Sequence, residues 1–176
     1  IETIRILRDE FHENYCLDIY GDGELKDELQ AQIDQYHLND QIKLCGHCTD
    51  IFNRLTNYDL FLMTSKYEGT PNALLEAMGL GLPSLAIKCR TGITELINDG
   101  KNGYIVAGYD AHTLAAKIRE INNPTQLAQV GKQARQDMIE RYSMNKIQTE
   151  LVSAIEDLHK NPPKIKNISL SKALNQ

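Results

Sequence analysis

Apolar residues recur along this chain with two spacings, one that suits helices and one that suits strands. In residues 2–13, Ile4, Leu7 and Phe11 recur at helical spacing. Short apolar runs with the length of strands lie at 16–20, 41–45, 59–65, 83–87 and 103–107. Further helical segments lie between or after these runs, at 24–38, 49–58, 71–80, 93–99, 111–121, 124–141 and 144–159. The pattern therefore predicts strands that alternate with helices along most of the chain.

This alternation indicates an α/β fold, a Rossmann-like, doubly wound parallel sheet with helices on both faces. The run at 59–65 shows almost no polar alternation, so we expect its strand to be covered on both faces. A doubly wound sheet usually opens with a strand, whereas this sequence opens with a helix. We therefore expect a sheet that lacks its first strand, in a domain at 1–160 followed by a loose tail at 161–176.

The composition is that of a soluble globular domain and narrows the choice of partners. Hydrophobic residues make up 41% and charged residues 24% of the 176 residues, and no apolar run is long enough to span a membrane. The net charge of −5, with no basic stripe, argues against nucleic acid as a partner. No secretory signal is evident, so we expect a reducing compartment and four cysteines that form no disulfide framework.

The start of the helix at 71–80 suits the binding of an anion at the carboxyl end of a strand. Thr70 suits the N-cap, and Pro71 suits the first helical position, which needs no N–H group. A capping box would need Glu or Gln at the third helical position, where alanine stands instead. We therefore expect a helix end that attracts phosphate through three open backbone amides, those of Asn72, Ala73 and Leu74.

Two carboxylates flank this helix start. Glu76 lies one turn into the helix, on the same face as Asn72, where it can accept hydrogen bonds from the vicinal hydroxyls of a ribose. Glu68 precedes the helix and can meet a sugar hydroxyl or a developing positive charge. The alternative is that both acids serve only the helix dipole or solubility.

The segment YEGTPNALLEAMGLGLP resembles the donor-site motif of retaining glycosyltransferases with the two-domain GT-B fold, in family 4 (glycosyl transferases group 1). Glu68 and Glu76 match the two glutamates of that motif. CLDIYGDGELKDELQAQIDQYHLNDQIKLCGH resembles the strand–GxG–helix–strand–Gly run of the family, and TGITELINDGKNGYIV resembles the segment after the motif. The resemblance covers nearly the whole chain. It implies the C-terminal, nucleotide-sugar-binding half of such an enzyme, with the N-terminal acceptor domain absent.

The resemblance also implies a role for each residue of the site. Glu68 would be the catalytic residue near the transferred sugar, and Glu76 would bind the ribose. Gly21 and Gly23 would let the backbone approach the donor, and Gly46 and His47 would lie near the nucleobase. The diphosphate and part of the sugar would be bound by Gly69, Thr70, Pro71, Asn72, Ala73 and Leu74.

The implied reaction moves a sugar from a nucleoside-diphosphate sugar, with a UDP-sugar favoured, to a glycan or lipid-linked acceptor in surface polysaccharide synthesis. This hexosyltransferase-type reaction would retain the anomeric configuration and need neither a metal nor a cofactor. The enzyme would be cytoplasmic, or peripheral at the inner face of the membrane. The Arg and Lys that neutralise the diphosphate in the family would lie upstream of Ile1, since Arg5 and Arg8 are poor substitutes, so this chain alone should be inactive.

Two other functions remain open at this point. Cys45-Gly46-His47-Cys48 has the spacing of a redox CxxC pair, which would make the chain a redox module, although a zinc site there would lack a second ligand pair. A nucleotide-sugar epimerase of the same fold is the second alternative. A dinucleotide site is disfavoured, because Lys26 stands where the third glycine of GxGxxG belongs.

Overall fold

Strands and helices alternate in the predicted order in a computed structural model, which describes residues 1–89 and 92–162. The predicted tail lies outside the described residues from position 163 onward. The elements are α1 Glu2–Asp9, β1 Leu17–Tyr20, α2 Lys26–Gln35, β2 Ile42–Gly46, α3 Ile51–Leu55, β3 Phe61–Met63, α4 Asn72–Leu80, β4 Ser84–Ile87, α5 Ile93–Leu96, β5 Tyr104–Val106, α6 Ala111–Glu120, α7 Pro124–Tyr142 and α8 Met144–Lys160.

Several elements are shorter than the apolar pattern predicts. Helix α1 ends at Asp9 instead of residue 13, and His12 beyond it adopts a left-handed φ of 58° that a continuing helix excludes. Strand β3 spans three residues, because the chain leaves the sheet at Thr64 to form the loop before α4. Helix α4 ends at Gly81, whose φ of 81° gives the left-handed C-cap that glycine favours.

All strand pairs are parallel. Strand β1 pairs with β2, and β4 lies between β3 and β5, with Leu85 opposite both Leu62 and Tyr104. The predicted parallel α/β architecture is therefore confirmed. Parallel pairing also brings the carboxyl ends of β3, β4 and β5 to one edge of the layer, where ligands bind in such folds.

Helices cover both faces of the strands. On one face, Ile6 and Leu7 of α1 are fully buried in a core that also holds Ile33 of α2 and Ile118 of α6. On the other face, Met63 of β3 shares a core with residues of α4, α5 and α7. Because Leu62 packs into the first core and Met63 into the second, the prediction that β3 is covered on both faces is confirmed.

One close glycine contact and one helix cap stabilise the later helices. In α7, Gly131 packs so closely on the end of α4 that a Cβ atom there would overlap the carbonyl oxygen of Gly81. Helix α6 begins after Asp110, whose carboxylate accepts hydrogen bonds from the amide and the hydroxyl of Thr113, each at 2.7 Å. These hydrogen bonds lower the pKa of Asp110, and the one from the hydroxyl has the larger effect.

The chain divides into two compact units, residues 1–138 and 139–176. In the second unit, α8 carries the predicted apolar stripe, and Ser143 caps the helix by accepting the Lys146 amide at 3.4 Å. The stripe residues are exposed in this structure: Ile147, Leu151, Ile155 and Leu158. Among the helices described, none combines the length and the hydropathy that crossing a bilayer requires.

Candidate functional site

The loops after β3, β4 and β5 meet at the carboxyl edge of the strands. After β4, the chain passes so close to the β3 loop that a Cβ atom on Gly92 would lie 2.9 Å from the carbonyl oxygen of Gly69. After β5, the Tyr109 hydroxyl donates a hydrogen bond to the carbonyl oxygen of Ser65 at 3.1 Å. Sequence reasoning identified neither Gly92 nor Tyr109, since each acts through a contact with a distant part of the chain.

The start of α4 differs from the prediction. Pro71, not Thr70, is the N-cap, and no side chain caps the helix, so the prediction that Thr70 is the capping residue is wrong. The Asn72 amide donates to the Thr70 carbonyl at 2.9 Å, and the Leu74 amide donates to the Pro71 carbonyl at 3.0 Å. The prediction of open amides at Asn72 and Leu74 is therefore also wrong, because the first turn tightens and pairs them internally.

Three amides at this position are open, and one of them, that of Ala73, belongs to the predicted set. Among the described residues, the amides of Gly69, Thr70 and Ala73 find no hydrogen-bond acceptor. All three residues are exposed, and the first turn of α4 contains no acidic side chain that would neutralise the helix end. The site therefore retains a small set of donors for an anion, shifted toward the loop from the predicted set.

Both predicted carboxylates belong to residues that flank these amides along the chain. Glu68 and Glu76 are half-buried, Glu68 in the loop before Gly69 and Glu76 in the second turn of α4. With a rise of about 1.5 Å per residue, Glu76 lies about 4.5 Å along the helix axis from Ala73. Within the described part of the chain, Glu76 makes neither a hydrogen bond nor an ion pair. Its carboxylate is therefore available to accept hydroxyl donors.

The ends of β1 and β2 carry the other predicted site residues. The Gly21 amide donates to the Gly46 carbonyl at 2.8 Å, and the Asp22 carboxylate accepts the His47 amide at 2.9 Å. Gly21 and Gly46 have φ values of 131° and 66°, which side-chain-bearing residues rarely adopt. A cavity of about 190 Å³ opens beside Gly21 and Gly23. The structure thus brings together the four predicted residues of this part, and it adds Asp22 as the residue that holds their loops in place.

A larger groove lies away from these residues. It has a volume of about 790 Å³ and lies between α7 and the turn that precedes β5. Its lining is polar and includes Asn98, Lys101 and Gln133, but no predicted site residue. Because it opens at the amino end of β5, it is a poor position for the ligand site of a parallel sheet.

Burial raises the pKa of Cys45, and none of the four cysteines forms a disulfide. A reactive thiol needs the opposite shift, toward a thiolate at neutral pH. Among the described side chains, no group of three or more His, Cys, Asp or Glu could hold a metal ion.

The parallel strands, the helices on both faces and the loop site at the carboxyl edge define a Rossmann-like doubly wound domain. The chain belongs to the family of glycosyl transferases group 1, whose family model matches residues 1–137. The resemblance to this family is thereby confirmed. Its finer parts, the assignment to family 4, the retaining mechanism and the donor-binding role, stay predictions.

Two curated relatives are identical to this chain at about a third of the positions in the matched segment. Poly(ribitol-phosphate) alpha-N-acetylglucosaminyltransferase of Staphylococcus aureus (strain COL) is 34% identical over 130 residues, which are 73% of this chain and 26% of that protein. The UDP-N-acetylglucosamine–peptide N-acetylglucosaminyltransferase GtfA subunit of Streptococcus gordonii is 33% identical over 144 residues, 80% of this chain and 27% of that protein.

Solved structures show the same fold. S. aureus TarM, crystallised as a mutant in complex with fondaparinux, alpha-GlcNAc-glycerol and UDP, superposes with a TM-score of 0.79 and 29% identity over 86% of this chain. The match covers 31% of the TarM chain. The matched segment spans about a quarter of the length of the two curated relatives described above.

Proposed function

We propose that this chain is the donor-binding half of a retaining glycosyltransferase that takes its sugar from a UDP-sugar. The observation that carries the proposal is the pair of half-buried carboxylates, Glu68 and Glu76, on either side of the open amides of Gly69, Thr70 and Ala73. Backbone amides can donate hydrogen bonds to a diphosphate, and the carboxylate on each side can accept hydrogen bonds from hydroxyl groups. This arrangement matches a nucleoside diphosphate that links a ribose to a sugar.

In this proposal, Glu76 holds the ribose. The two oxygens of a carboxylate can accept hydrogen bonds from two neighbouring hydroxyl groups. Glu76 has no other partner among the residues described. The open amides bind the diphosphate, and the loops at Gly21 and Gly46 approach the donor from the end of the β1–β2 sheet. Pro71 supplies no amide, so the donors lie on either side of it.

The same arrangement favours departure of the nucleoside diphosphate. As the bond from the anomeric carbon to the diphosphate oxygen breaks, negative charge builds on the leaving group and the sugar becomes oxocarbenium-like. Fixed amides at a helix end stabilise that negative charge without reorganising. Glu68 stabilises the positive charge on the sugar. The acceptor hydroxyl attacks on the face that the leaving group vacates and gives its proton to the departing diphosphate, so the anomeric configuration is retained.

The relatives suggest N-acetylglucosamine as the sugar. One is named for transfer of this sugar to poly(ribitol-phosphate) and the other for transfer to a peptide, so the sugar is common and the acceptors differ. Both match the present chain over most of its length. A segment shared by enzymes with one sugar and different acceptors is expected to bind the donor.

The acceptor would then be bound by another part of the polypeptide, an N-terminal domain, and this chain alone would not transfer sugar. We expect a glycan or lipid-linked acceptor in surface polysaccharide synthesis, and an enzyme that acts in the cytoplasm or at the inner face of the membrane.

Titration of this chain with uridine, UDP and UDP-N-acetylglucosamine tests the proposal by NMR chemical-shift changes. Glu76→Ala should weaken uridine and UDP equally, by tenfold or more, because a hydrogen bond to a charged group contributes about 1.5–3 kcal/mol. Inorganic pyrophosphate should bind both proteins alike. The control is Glu150→Ala, which removes a carboxylate of α8 that pairs with Lys146 at 3.2 Å and should leave UDP binding unchanged.

Unchanged uridine affinity in Glu76→Ala would exclude the ribose role. Turnover of UDP-N-acetylglucosamine by the full-length protein without any acceptor would favour the epimerase alternative.

A further inference from the structure

Helix α7 supports both ends of α4, the helix at which the open amides lie. At the C-terminal end of α4 the contact is direct, because Gly131 packs on the Gly81 carbonyl. The Arg135 guanidinium also donates a hydrogen bond to the Gly79 carbonyl there, at 3.3 Å. At the N-terminal end, the link between α7 and the site loop is the short helix α5.

The N-terminal end of α5 presses on the site loop. An added Cβ atom on Gly92, the N-cap of α5, would lie 2.9 Å from the Gly69 carbonyl oxygen and 3.1 Å from Cδ of Pro71. Gly69 supplies one of the open amides, and Pro71 is the N-cap of α4. A displacement of α5 toward the loop would therefore push on the residues that present the amides.

The C-terminal end of α5 is tied to α7 by one buried side chain. Asn102, 2% exposed, donates from Nδ2 to the Leu96 carbonyl at 3.1 Å and to the Asp137 carboxylate at 2.6 Å. Its Oδ1 accepts a hydrogen bond from the Asn98 amide at 2.7 Å. Asn102 thus satisfies one of the carbonyls that a helix end leaves without an intrahelical partner, and joins it to α7.

Asp137 is the partner that α7 contributes to this link. Its carboxylate is half-buried and also accepts a hydrogen bond at 2.7 Å from Nε2 of Gln133, one turn earlier on the same helix. A hydrogen bond to an ionised acceptor is about twice as strong as one between neutral groups. The bond from Asn102 to Asp137 therefore belongs to the stronger class, and it joins parts of the chain that are distant in sequence.

Apolar packing also holds α5 in place, but it is less directional. Ile93 and Leu96 are buried in the core that α4 and α7 share. The hydrophobic effect has no directional preference, whereas a hydrogen bond weakens steeply when its angle departs from the optimum. The packing therefore keeps α5 in the layer, and the hydrogen-bonded link fixes its position along its own axis.

We propose that Asn102 and Asp137 are positioning residues of the proposed diphosphate site, which fix α5 against the loop and so hold the amides of Gly69 and Thr70 in place. Asp137 lines the polar groove at the amino end of β5, so it acts from the opposite edge of the strands and does not touch the donor. The inference rests on the proposed function only for the identity of the ligand, since the contacts do not depend on it.

Loss of the link should affect one part of the ligand more than another. Inorganic pyrophosphate would bind through the open amides, whereas uridine would bind through Glu76 and carries no phosphate. Glu76 lies in the second turn of α4, and α7 holds the C-terminal end of that helix directly, without α5. The affinity for pyrophosphate should therefore fall while the affinity for uridine stays unchanged.

The variant Asp137→Ala removes the α7 end of the link, and alanine favours the helical conformation at that position. The matched control is Asp137→Asn, whose side-chain oxygen can still accept from Asn102 and whose nitrogen can donate to Gln133 once the Gln133 amide has turned over. A second control, Gln133→Ala, removes only the exposed partner of Asp137. Backbone amide resonances are recorded by NMR without ligand, and pyrophosphate and uridine are then titrated separately.

Asp137→Ala should shift the amide resonance of Gly69 and weaken pyrophosphate binding by about threefold to tenfold, with uridine binding unchanged. Asn102→Asp keeps the shape of the side chain but loses both donors, so it should reproduce these changes. Both controls should keep the wild-type values. A wild-type Gly69 resonance and pyrophosphate affinity in Asp137→Ala would overturn the proposal.

Equal losses of pyrophosphate and uridine binding in Asp137→Ala would also overturn it, because general destabilisation predicts that result. Failure of the wild-type chain to bind pyrophosphate would instead refute the proposed diphosphate site. The ligand-free resonance of Gly69 in Asp137→Ala and Asp137→Asn would then still decide whether Asp137 positions the loop.

Discussion

Replacement of Gly92 by alanine tests how the loops of the candidate site are held together. Gly92 precedes α5 with φ 83° and ψ −52°, a conformation that is accessible to glycine and strained for other residues. An added Cβ atom would lie 2.9 Å from the Gly69 carbonyl oxygen and 3.1 Å from Cδ of Pro71. The substitution therefore adds backbone strain and a steric overlap with the loop that carries the open amides.

The two effects have different magnitudes and different consequences. Backbone strain of this kind costs about 1–3 kcal/mol of folding stability. To reach an ordinary contact of 3.4 Å, the Gly69 carbonyl must move away by about 0.5 Å. Since Gly69 and Thr70 supply amides to the proposed diphosphate site, a shift of this size should weaken UDP binding by about tenfold.

Urea unfolding and UDP titration of the same variant measure both effects. Gly100→Ala is the control, because Gly100 also has a left-handed φ, 74°. Apart from its chain neighbours, no atom of the described residues lies within 4 Å of the position that an added Cβ atom would take. Gly100→Ala should lose stability and keep its UDP affinity, whereas Gly92→Ala should lose both. Wild-type UDP affinity in Gly92→Ala, or an equal loss in both variants, would refute the coupling between the β4 loop and the site.

Two further predictions concern stability alone. Gly131→Ala should destabilise the protein by more than about 2 kcal/mol in urea unfolding, because its Cβ overlaps the Gly81 carbonyl. Gly79→Ala, at an open helical position, should stabilise the protein by about 0.5–1 kcal/mol. Equal changes in unfolding free energy for Gly131→Ala and Gly79→Ala would contradict this reasoning. Asp110→Ala should cost stability at pH 7 and progressively less as the pH falls below about 4, because a carboxylate with a lowered folded-state pKa stabilises the fold above its unfolded pKa and loses that effect on protonation. Ser143→Ala, which removes a cap that does not titrate, should cost the same at pH 7 and pH 3.

The order of helices and strands could be predicted from the sequence because it depends on the spacing of apolar residues. The glycine that ends α4 is equally local, since Gly81 needs no partner elsewhere in the chain to adopt its φ of 81°. Element lengths were less predictable. At β3, the predicted run continues to residue 65, but the chain turns away after Met63 to form the site loop.

The details of the candidate site could not be predicted from local rules. A threonine before a proline is a reasonable N-cap by sequence, yet Pro71 takes that position and the turn pairs the amides that were expected to be open. The close contact of Gly92 with this turn involves residues about twenty positions apart, so no local pattern reports it. Asp22 likewise holds the Gly46–His47 loop through a contact between neighbouring strands.

The spacing between the two parts of the proposed donor site depends on side-chain packing. One part of the site follows β1 and β2, and the other follows β3, so the two parts lie at the ends of different sheets. No backbone hydrogen bond among the described residues fixes the distance between them. That distance depends on the core that both sheets share and on side-chain contacts such as that of Tyr58 with Asp18.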